Sequence, residues 1–190
     1  MKLITLAALF LVLITNPVPG AAIFGKDNPD KQRKELQEAR TNALNKLYQE
    51  RPEAREALRS SKGYAVFSSI GVNLFLVSTE RGGGILRDNV RGQDIYMKMF
   101  SAGGGWGMGV KDFALIFVFH TQAAMDQFQD EGWDFSGQAD ASAESGEQGM
   151  GTEAAVTVVP GTSIYQLTEA GLALQATLKG TKFWRDDELN

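Results

Sequence analysis

The chain has 190 residues, of which 22% are charged and 43% hydrophobic, and its formal net charge is −4. These values are typical of one globular domain with a hydrophobic core. The absence of cysteine excludes disulfides, thiolate metal sites and cysteine nucleophiles, and His120 is the single imidazole that a hydrolase triad would have.

The first 22 residues have the features of a signal peptide. Lys2 precedes a thirteen-residue apolar run, Leu3–Thr15, which is too short to span a bilayer comfortably. Two prolines and then small residues follow, and they suit a cleavage site. We expect cleavage after Gly20 or Ala22 and a mature protein that is periplasmic or secreted; an uncleaved anchor is the alternative.

The charges are unevenly distributed along the mature chain. Residues 23–111 contain fifteen Lys and Arg against ten Asp and Glu, whereas residues 112–178 contain ten Asp and Glu and no Lys or Arg. The acidic total disfavours nucleic acid as a partner. The basic N-terminal part can still meet an anionic surface.

An amphipathic helix is predicted to begin at Asn28. Asn28 suits the N-cap and Pro29 the first helical position. An apolar stripe recurs at helical spacing and consists of Leu36, Ala39, Ala43, Leu44 and Leu47. The remaining positions carry mixed charge, which indicates either a solvated face over a core or a membrane-surface helix. The helical pattern pauses at Pro52, resumes over Glu53–Ser61 and is predicted to stop at Gly63.

From Tyr64 the pattern changes to that of strands. Short β-rich runs are predicted at residues 64–70 and 72–78, at Ile85-Leu86 and at Tyr96–Phe100, with Gly82–Gly84 punctuating them. In SAGGGWGMGVKDFALIFVFH, glycines alternate with large apolar residues and Phe113–Phe119 is apolar throughout. This stretch predicts a hairpin in which a glycine strand precedes a strand buried on both faces.

The rest of the chain predicts one short helix and further strands. Thr121 can cap a helix that ends at Gly132, and residues 137–152 are predicted as a loop. The run AAVTVV ends at a Pro160-Gly161 turn, and SIYQL and LALQATL are predicted as the final strands. The predicted fold class is α+β: an N-terminal amphipathic helix, then a curled, barrel-like antiparallel sheet with one short inserted helix.

No catalytic or metal-binding constellation is convincing in this sequence. Gly104, Gly109 and Lys111 lack the spacing of a phosphate-cradling loop, and Asp112 stands where Ser or Thr is needed. His120 is interpreted as a structural residue, and the acids between Asp134 and Glu153 lack the spacing of a calcium loop. We therefore predict no enzyme activity, no metal and no cofactor.

Several motifs together resemble one known family. SSKGYAVFSSIGVNLFLVSTERGGGILRD, SAGGGWGMGVKDFALIFVFHTQAAMDQF, FSGQADASAE and SIYQLTEAGLALQATLKGTKF follow in the order and spacing of the SYLF family. That family consists of lipid-binding domains of eukaryotic actin-patch and endosomal proteins and of bacterial envelope proteins. The resemblance covers residues 36–190. The chain departs from it at Val77-Ser78-Thr79, where glycines are usual, and at its end, which lacks the usual aromatic-glycine pair.

The resemblance implies binding of acidic phospholipids through a basic amphipathic N-terminal segment beside the barrel-like domain. Carried over to this chain, it implies binding by the basic residues Lys31, Arg33, Lys34, Arg40 and Lys62. Ile23 and Phe24 would give the mature chain an apolar tip. The implied organisation is a signal peptide at 1–22, a helical segment at 23–62, and a β-rich domain at 63–190 that packs with that segment.

The sequence thus predicts an exported, non-catalytic protein that associates peripherally with anionic phospholipid membranes. The alternative is a structural or protein-interaction module of the cell envelope, in which the acidic second part binds a basic partner such as an envelope protein. Neither prediction involves nucleic acid.

Overall fold

The structure is a computed structural model that describes residues 28–68, 81–101, 113–135, 142–143, 156–168, 171–173, 176–178 and 180–190. Several predicted features lie outside these residues. They are the signal peptide, the Ile23–Phe24 tip, the strand at 72–78, the glycine strand and most of the predicted acidic loop.

The described elements are three helices and eleven strands. The helices are α1 (Pro29–Glu50), α2 (Ala54–Ser60) and α3 (Gln122–Asp130). The first strands are β1 (Gly63–Ser68), β2 (Arg81–Asp88), β3 (Gln93–Ser101), β4 (Ala114–Phe119), β5 (Trp133–Asp134) and β6 (Ser142–Ala143). The others are β7 (Val156–Val159), β8 (Thr162–Thr168), β9 (Gly171–Ala173), β10 (Ala176–Thr177) and β11 (Thr181–Arg185).

One antiparallel sheet dominates the fold. Its strand order is β5-β11-β3-β2-β1-β4-β8-β7, with β9 also paired to β8, whereas β6 and β10 form a separate two-stranded sheet. The main sheet curls into a half-barrel, with α1 and α2 preceding it along the chain. The predicted α+β class, with a curled antiparallel sheet and one inserted helix, is confirmed.

The N-terminal helix has the predicted start and the predicted buried stripe. The side chain of Asn28 accepts a hydrogen bond from the backbone N–H of Asp30 at 3.0 Å, and Pro29 is the first helical residue. Four residues of that stripe, Leu36, Ala39, Ala43 and Leu47, are buried, whereas the fifth, Leu44, is only partly buried. Because these residues recur every three or four positions, α1 packs one face into the core from Leu36 to Leu47 and presents a polar face to solvent.

Glycines that were predicted to separate elements instead lie inside strands. The second helix ends at Ser60, close to the predicted end, but Gly63 is the first residue of β1 and does not cap it. Gly82, Gly83 and Gly84 belong to β2. A β-carbon on Gly84 would meet the Phe67 ring and lie 2.6 Å from the carbonyl oxygen of Val66. These glycines serve close packing rather than chain reversal.

The two faces of the sheet bury different cores. In β4, Leu115, Phe117 and Phe119 point into an aromatic core that α3 covers with Phe128 and Met125. Ala114, Ile116 and Val118 point to the opposite face, where α1 and α2 pack. All six residues of β4 are buried, which confirms the prediction of a strand covered on both faces.

The last strand of the sheet was missed by the sequence prediction. LALQATL supplies the short strands β9 and β10, and the chain then adds β11, which pairs with β3 and β5. Thr181 and Phe183 of β11 are buried whereas Lys182 and Arg185 are exposed. A five-residue strand that alternates buried and exposed positions and contains two cations is hard to identify from sequence. Its pairing with β3 specifies it as a strand.

Candidate functional site: a polar cleft between the first helix and the sheet

A cleft of about 410 Å³ opens between α1 and the sheet. Its helical wall consists of Arg40, Thr41, Leu44, Asn45 and Tyr48. Its floor is a row across three strands, because Tyr64 of β1 pairs with Arg87 of β2, which pairs with Asp94 of β3. The sheet register and the helix flank therefore place two arginines, one carboxylate and two tyrosines around one open space.

A single carboxylate is shared by two guanidinium groups in this cleft. Arg40 Nη1 lies 2.8 Å from Asp94 Oδ2, and Arg87 Nη1 lies 3.2 Å from Asp94 Oδ1. Arg87 Nη1 also donates to the carbonyl oxygen of Gly92 at 2.9 Å. Because one negative charge faces two positive ones, the cluster has a net charge of +1. The side chain of Arg40 is 19% exposed and that of Arg87 is 36% exposed, so solvent reaches both.

The two tyrosines supply hydroxyl donors. Burial raises the pKa of Tyr64 and also the pKa of Tyr48, so both hydroxyls stay protonated at neutral pH. Within the described part of the chain, neither hydroxyl has a hydrogen-bond partner. The guanidinium of Arg55 lies over the Tyr48 ring at 4.2 Å from its centroid, and this contact holds the ring at the end of the cleft.

The sequence-predicted basic residues do not form one surface. Lys31 and Lys34 lie on the exposed side of α1, and Lys31 is paired with Glu35 at 3.6 Å. Arg33 donates to the carbonyl oxygen of Leu189 at 3.0 Å and pairs with Asp30. Arg40 is the cleft residue described above. Two of the four predicted cations of α1 therefore hold the helix to other elements, and two face solvent.

The remaining predicted site residues lie apart from α1. Lys62 is exposed in the short connection between α2 and β1, and its backbone N–H donates to the carbonyl oxygen of Phe119. Ile23 and Phe24 lie outside the described residues.

Two kinds of candidate residue were missed by sequence reasoning. Arg55 and Arg59 are exposed on α2, one turn apart, and their spacing of four was visible in the sequence. Tyr64, Arg87 and Asp94 come from three strands, and no local pattern joins all three. The hairpin of β2 and β3 could have indicated the Arg87–Asp94 pair, since these residues lie opposite each other across a tight turn.

His120 directly follows β4, and its ring contacts a hydroxyl among the described residues. It is exposed, and its Nε2 lies 2.8 Å from Ser163 Oγ. No carboxylate within the described ranges contacts the ring, so the pair lacks the orienting third group of a triad. The described residues also contain no group of three or more His, Asp or Glu side chains placed to hold a metal ion.

The comparisons with known proteins identify the domain. Residues 100–190 match the family model described as "Ysc84: Las17-binding protein actin regulator". The chain is 35% identical over 150 residues to "Beta cell expansion factor A" of Aeromonas veronii. This chain carries a Ysc84 (SYLF) domain. The family resemblance predicted from the sequence is confirmed.

The match to the Aeromonas protein covers most of this chain but only part of the relative. The match to the Aeromonas protein includes 77% of this chain and 54% of that protein, so the chain spans about half the length of the curated relative. Family membership supports a lipid-binding or actin-regulating module, and the family is generally one of binding domains rather than enzymes. Among the described helices, none combines the length and the apolar composition that crossing a bilayer requires.

Proposed function

We propose that this Ysc84-domain protein is exported and binds anionic phospholipid membranes peripherally, without catalysis. The observation that carries the proposal is the exposed stripe of α1. Lys31 and Lys34 lie one helical turn apart on its solvent side, and the stripe continues through Glu38, Thr41 and Asn45. A membrane that approaches this side would meet two cations, one carboxylate and small polar groups before any large apolar residue.

The electrostatic term of such binding is modest. Each basic residue near an anionic surface contributes about 1 kcal/mol, and the attraction fades within a Debye length. Glu35 and Glu38 oppose the lysines on the same segment. Binding is therefore weak, reversible and dependent on salt, and the Ile23–Phe24 tip would add an apolar contribution to it.

The segment after α1 carries a second group of exposed cations. Residues 51–62 carry Arg51, Arg55, Arg59 and Lys62 against Glu53 and Glu56. Arg59 forms a bidentate salt bridge with Glu56: Nε donates to Oε2 at 2.9 Å and Nη2 donates to Oε1 at 3.0 Å. This pairing neutralises part of the positive charge of the segment. Arg55 and Lys62 have no carboxylate partner among the described residues, so they are the cations of this segment that a headgroup could engage.

Vesicle co-sedimentation tests the proposal. The mature protein is mixed with vesicles of phosphatidylcholine alone or with added phosphatidylglycerol, and the bound fraction is measured. We expect binding to the anionic vesicles and little to the neutral ones. The double variant Lys31→Gln, Lys34→Gln should bind about thirtyfold more weakly, because two charges of about 1 kcal/mol each are lost while glutamine keeps helix propensity.

A matched control removes the same charge elsewhere. Lys182 and Arg185 are exposed on β11 and paired only with exposed carboxylates in the described region. Lys182→Gln, Arg185→Gln changes the net charge equally and should leave vesicle binding close to that of the parent. Equal binding by the α1 variant and the parent would contradict the proposal and favour the envelope interaction module.

Export is tested separately. N-terminal sequencing of the protein made by its native cell should give a chain that begins between Ala21 and Ile23. Recovery of a chain that still starts at Met1 would show that the leader is retained.

A further inference from the structure

The cleft between α1 and the sheet contains more hydrogen-bond donors than the protein uses. Each of the two arginines directs Nη1 at Asp94, and the Nε and Nη2 groups of both have no partner within the described residues. The hydroxyls of Tyr48 and Tyr64 are likewise unused there. Donors outnumber acceptors around an open space with a net charge of +1, which is an arrangement that favours an anion with several acceptor oxygens.

The geometry of the donors suits a tetrahedral oxyanion. Guanidinium groups bind phosphate through two parallel N–H bonds, and the two here approach the cleft from opposite walls, since Arg40 is on the helix and Arg87 on the sheet. Asp94 fixes both groups through its two carboxylate oxygens, so their orientation is set before a ligand arrives. The cleft volume of about 410 Å³ is enough for a phosphorylated headgroup.

We propose that this cleft binds one phosphate group, held by Arg40, Arg87 and the hydroxyls of Tyr48 and Tyr64. For a lipid as the source of that phosphate, the inference rests on the proposed membrane function; the same donors would also take a free phosphate. Thr41 lies on the rim of the cleft, seven residues after Lys34, which is a rise of about 10 Å along the helix. A headgroup in the cleft would therefore sit on the same side of α1 as the exposed lysine.

Calorimetric titration of the mature protein tests this site with two probes. One probe is inorganic phosphate, and the other is a short-chain phosphatidic acid below its micelle concentration. We expect saturable binding of one molecule per chain. Tighter binding of the short-chain lipid would identify a headgroup as the ligand, whereas equal binding of both probes would identify the phosphate alone.

Two variants with a matched control place the binding in the cleft. Tyr64→Phe removes one donor and should weaken binding about tenfold, as expected for loss of a hydrogen bond to a charged group. Arg87→Gln removes one charge while Arg40 still pairs with Asp94, and it should weaken binding at least as much. Tyr165→Phe is the control, because Tyr165 is buried in the core under the same helices but does not line the cleft.

The outcomes separate this inference from the proposed membrane function. Lys31→Gln, Lys34→Gln should lose vesicle binding but keep the titration of short-chain phosphatidic acid. The cleft inference is overturned by absence of binding of both probes, or by unchanged binding in Tyr64→Phe together with a melting temperature equal to that of the parent. Failure of the parent protein to bind anionic vesicles, with its cleft titration intact, would overturn only the membrane proposal.

Discussion

The two faces of the sheet differ in how completely their side chains are packed and paired. On the aromatic face, Phe117 lies 5.1 Å from Phe183 and 5.5 Å from Phe128 between ring centroids, and its edge meets the Phe67 ring. On the helix face, apolar packing under α1 gives way at one flank to the Arg40–Asp94–Arg87 cluster. The aromatic side chains of the first face pack against one another in the core, whereas the second face ends in polar groups that are open to solvent.

Under the proposed cleft function, this difference places the main contribution to stability and the ligand site on opposite faces of one sheet. Aromatic rings in edge and tilted contacts stabilise the fold through buried area and ring geometry. Partly exposed ion pairs contribute little to stability, so the cleft can be altered with small effect on folding. Variants on the two faces should therefore separate in their effects on melting and on ligand binding.

The largest expected effect is on the aromatic face. Phe117→Ala should lower the free energy of unfolding by about 3–5 kcal/mol, because it removes a fully buried ring and leaves a cavity among its neighbours. Tyr64→Phe, on the cleft side, should shift the denaturant midpoint little. Similar losses in the two variants, measured by urea unfolding, would remove the proposed division between the faces.

The glycines of β2 give a graded test of packing. Gly84→Ala should lower the free energy of unfolding by about 1–3 kcal/mol, because its new β-carbon would meet a ring and a backbone carbonyl that cannot move easily. Gly83→Ala should have a smaller effect, since the atom that it meets at 2.8 Å is the Cδ2 end of the flexible Leu36 side chain. The reverse order of melting temperatures would show that the helix face is the more tightly packed.

A pH-dependent effect is expected at the turn that aligns the cleft pair. Asp88 is fully buried, and its Oδ1 accepts from the backbone N–H of Val90 and of Arg91, both at 2.8 Å, while Oδ2 pairs with the Arg91 guanidinium. Burial alone would raise the pKa of the Asp88 carboxyl, but these hydrogen bonds outweigh it and hold the pKa below its ordinary value.

The direction of the pH dependence follows from that lowered pKa. The unfolded chain binds the Asp88 proton more readily than the folded chain, so this carboxylate stabilises the fold above its ordinary pKa of about 3.9. That stability is lost as pH falls through the lower folded value. As the pH is lowered from about 5 to about 2, the melting temperature should fall more steeply for the parent than for Asp88→Asn. Parallel curves would contradict the assignment.

The smallest expected effect on stability belongs to the exposed lysines of α1. Lys31→Gln, Lys34→Gln should leave the melting temperature and the circular dichroism spectrum unchanged, because both side chains are exposed and glutamine preserves helix propensity. A clear drop in melting temperature would mean that the lysines stabilise the fold. Reduced vesicle binding could not then be attributed to charge.

The sequence predicted the elements whose signal is local. The cap at Asn28, the buried stripe of α1, the fully apolar β4 and the Thr121 cap of α3 all depend on neighbours within a few residues. The role of Gly82–Gly84 was misjudged, because the space beside a glycine depends on distant groups such as Phe67 and Leu36. The strand β11 was missed because it is specified by pairing with β3.

The candidate site was predicted less well than the fold, for the same reason. The basic residues of α1 were identified, but charge in a sequence does not show which cations are already paired. Arg33 is bound to Leu189 and Asp30, and Arg40 to Asp94, through contacts that depend on tertiary structure. The cleft depends on the register of three strands and on the side of α1 that faces them.

The salt dependence of vesicle association tests the central claim most directly. The bound fraction of the mature protein on phosphatidylglycerol-containing vesicles is measured from about 0.01 M to about 1 M ionic strength, over which the Debye length falls from about 30 Å to about 3 Å. We expect the largest bound fraction at the low end and its loss at the high end, with no comparable change on neutral vesicles. Binding to anionic vesicles that does not change across this range would contradict an interface built on exposed lysines.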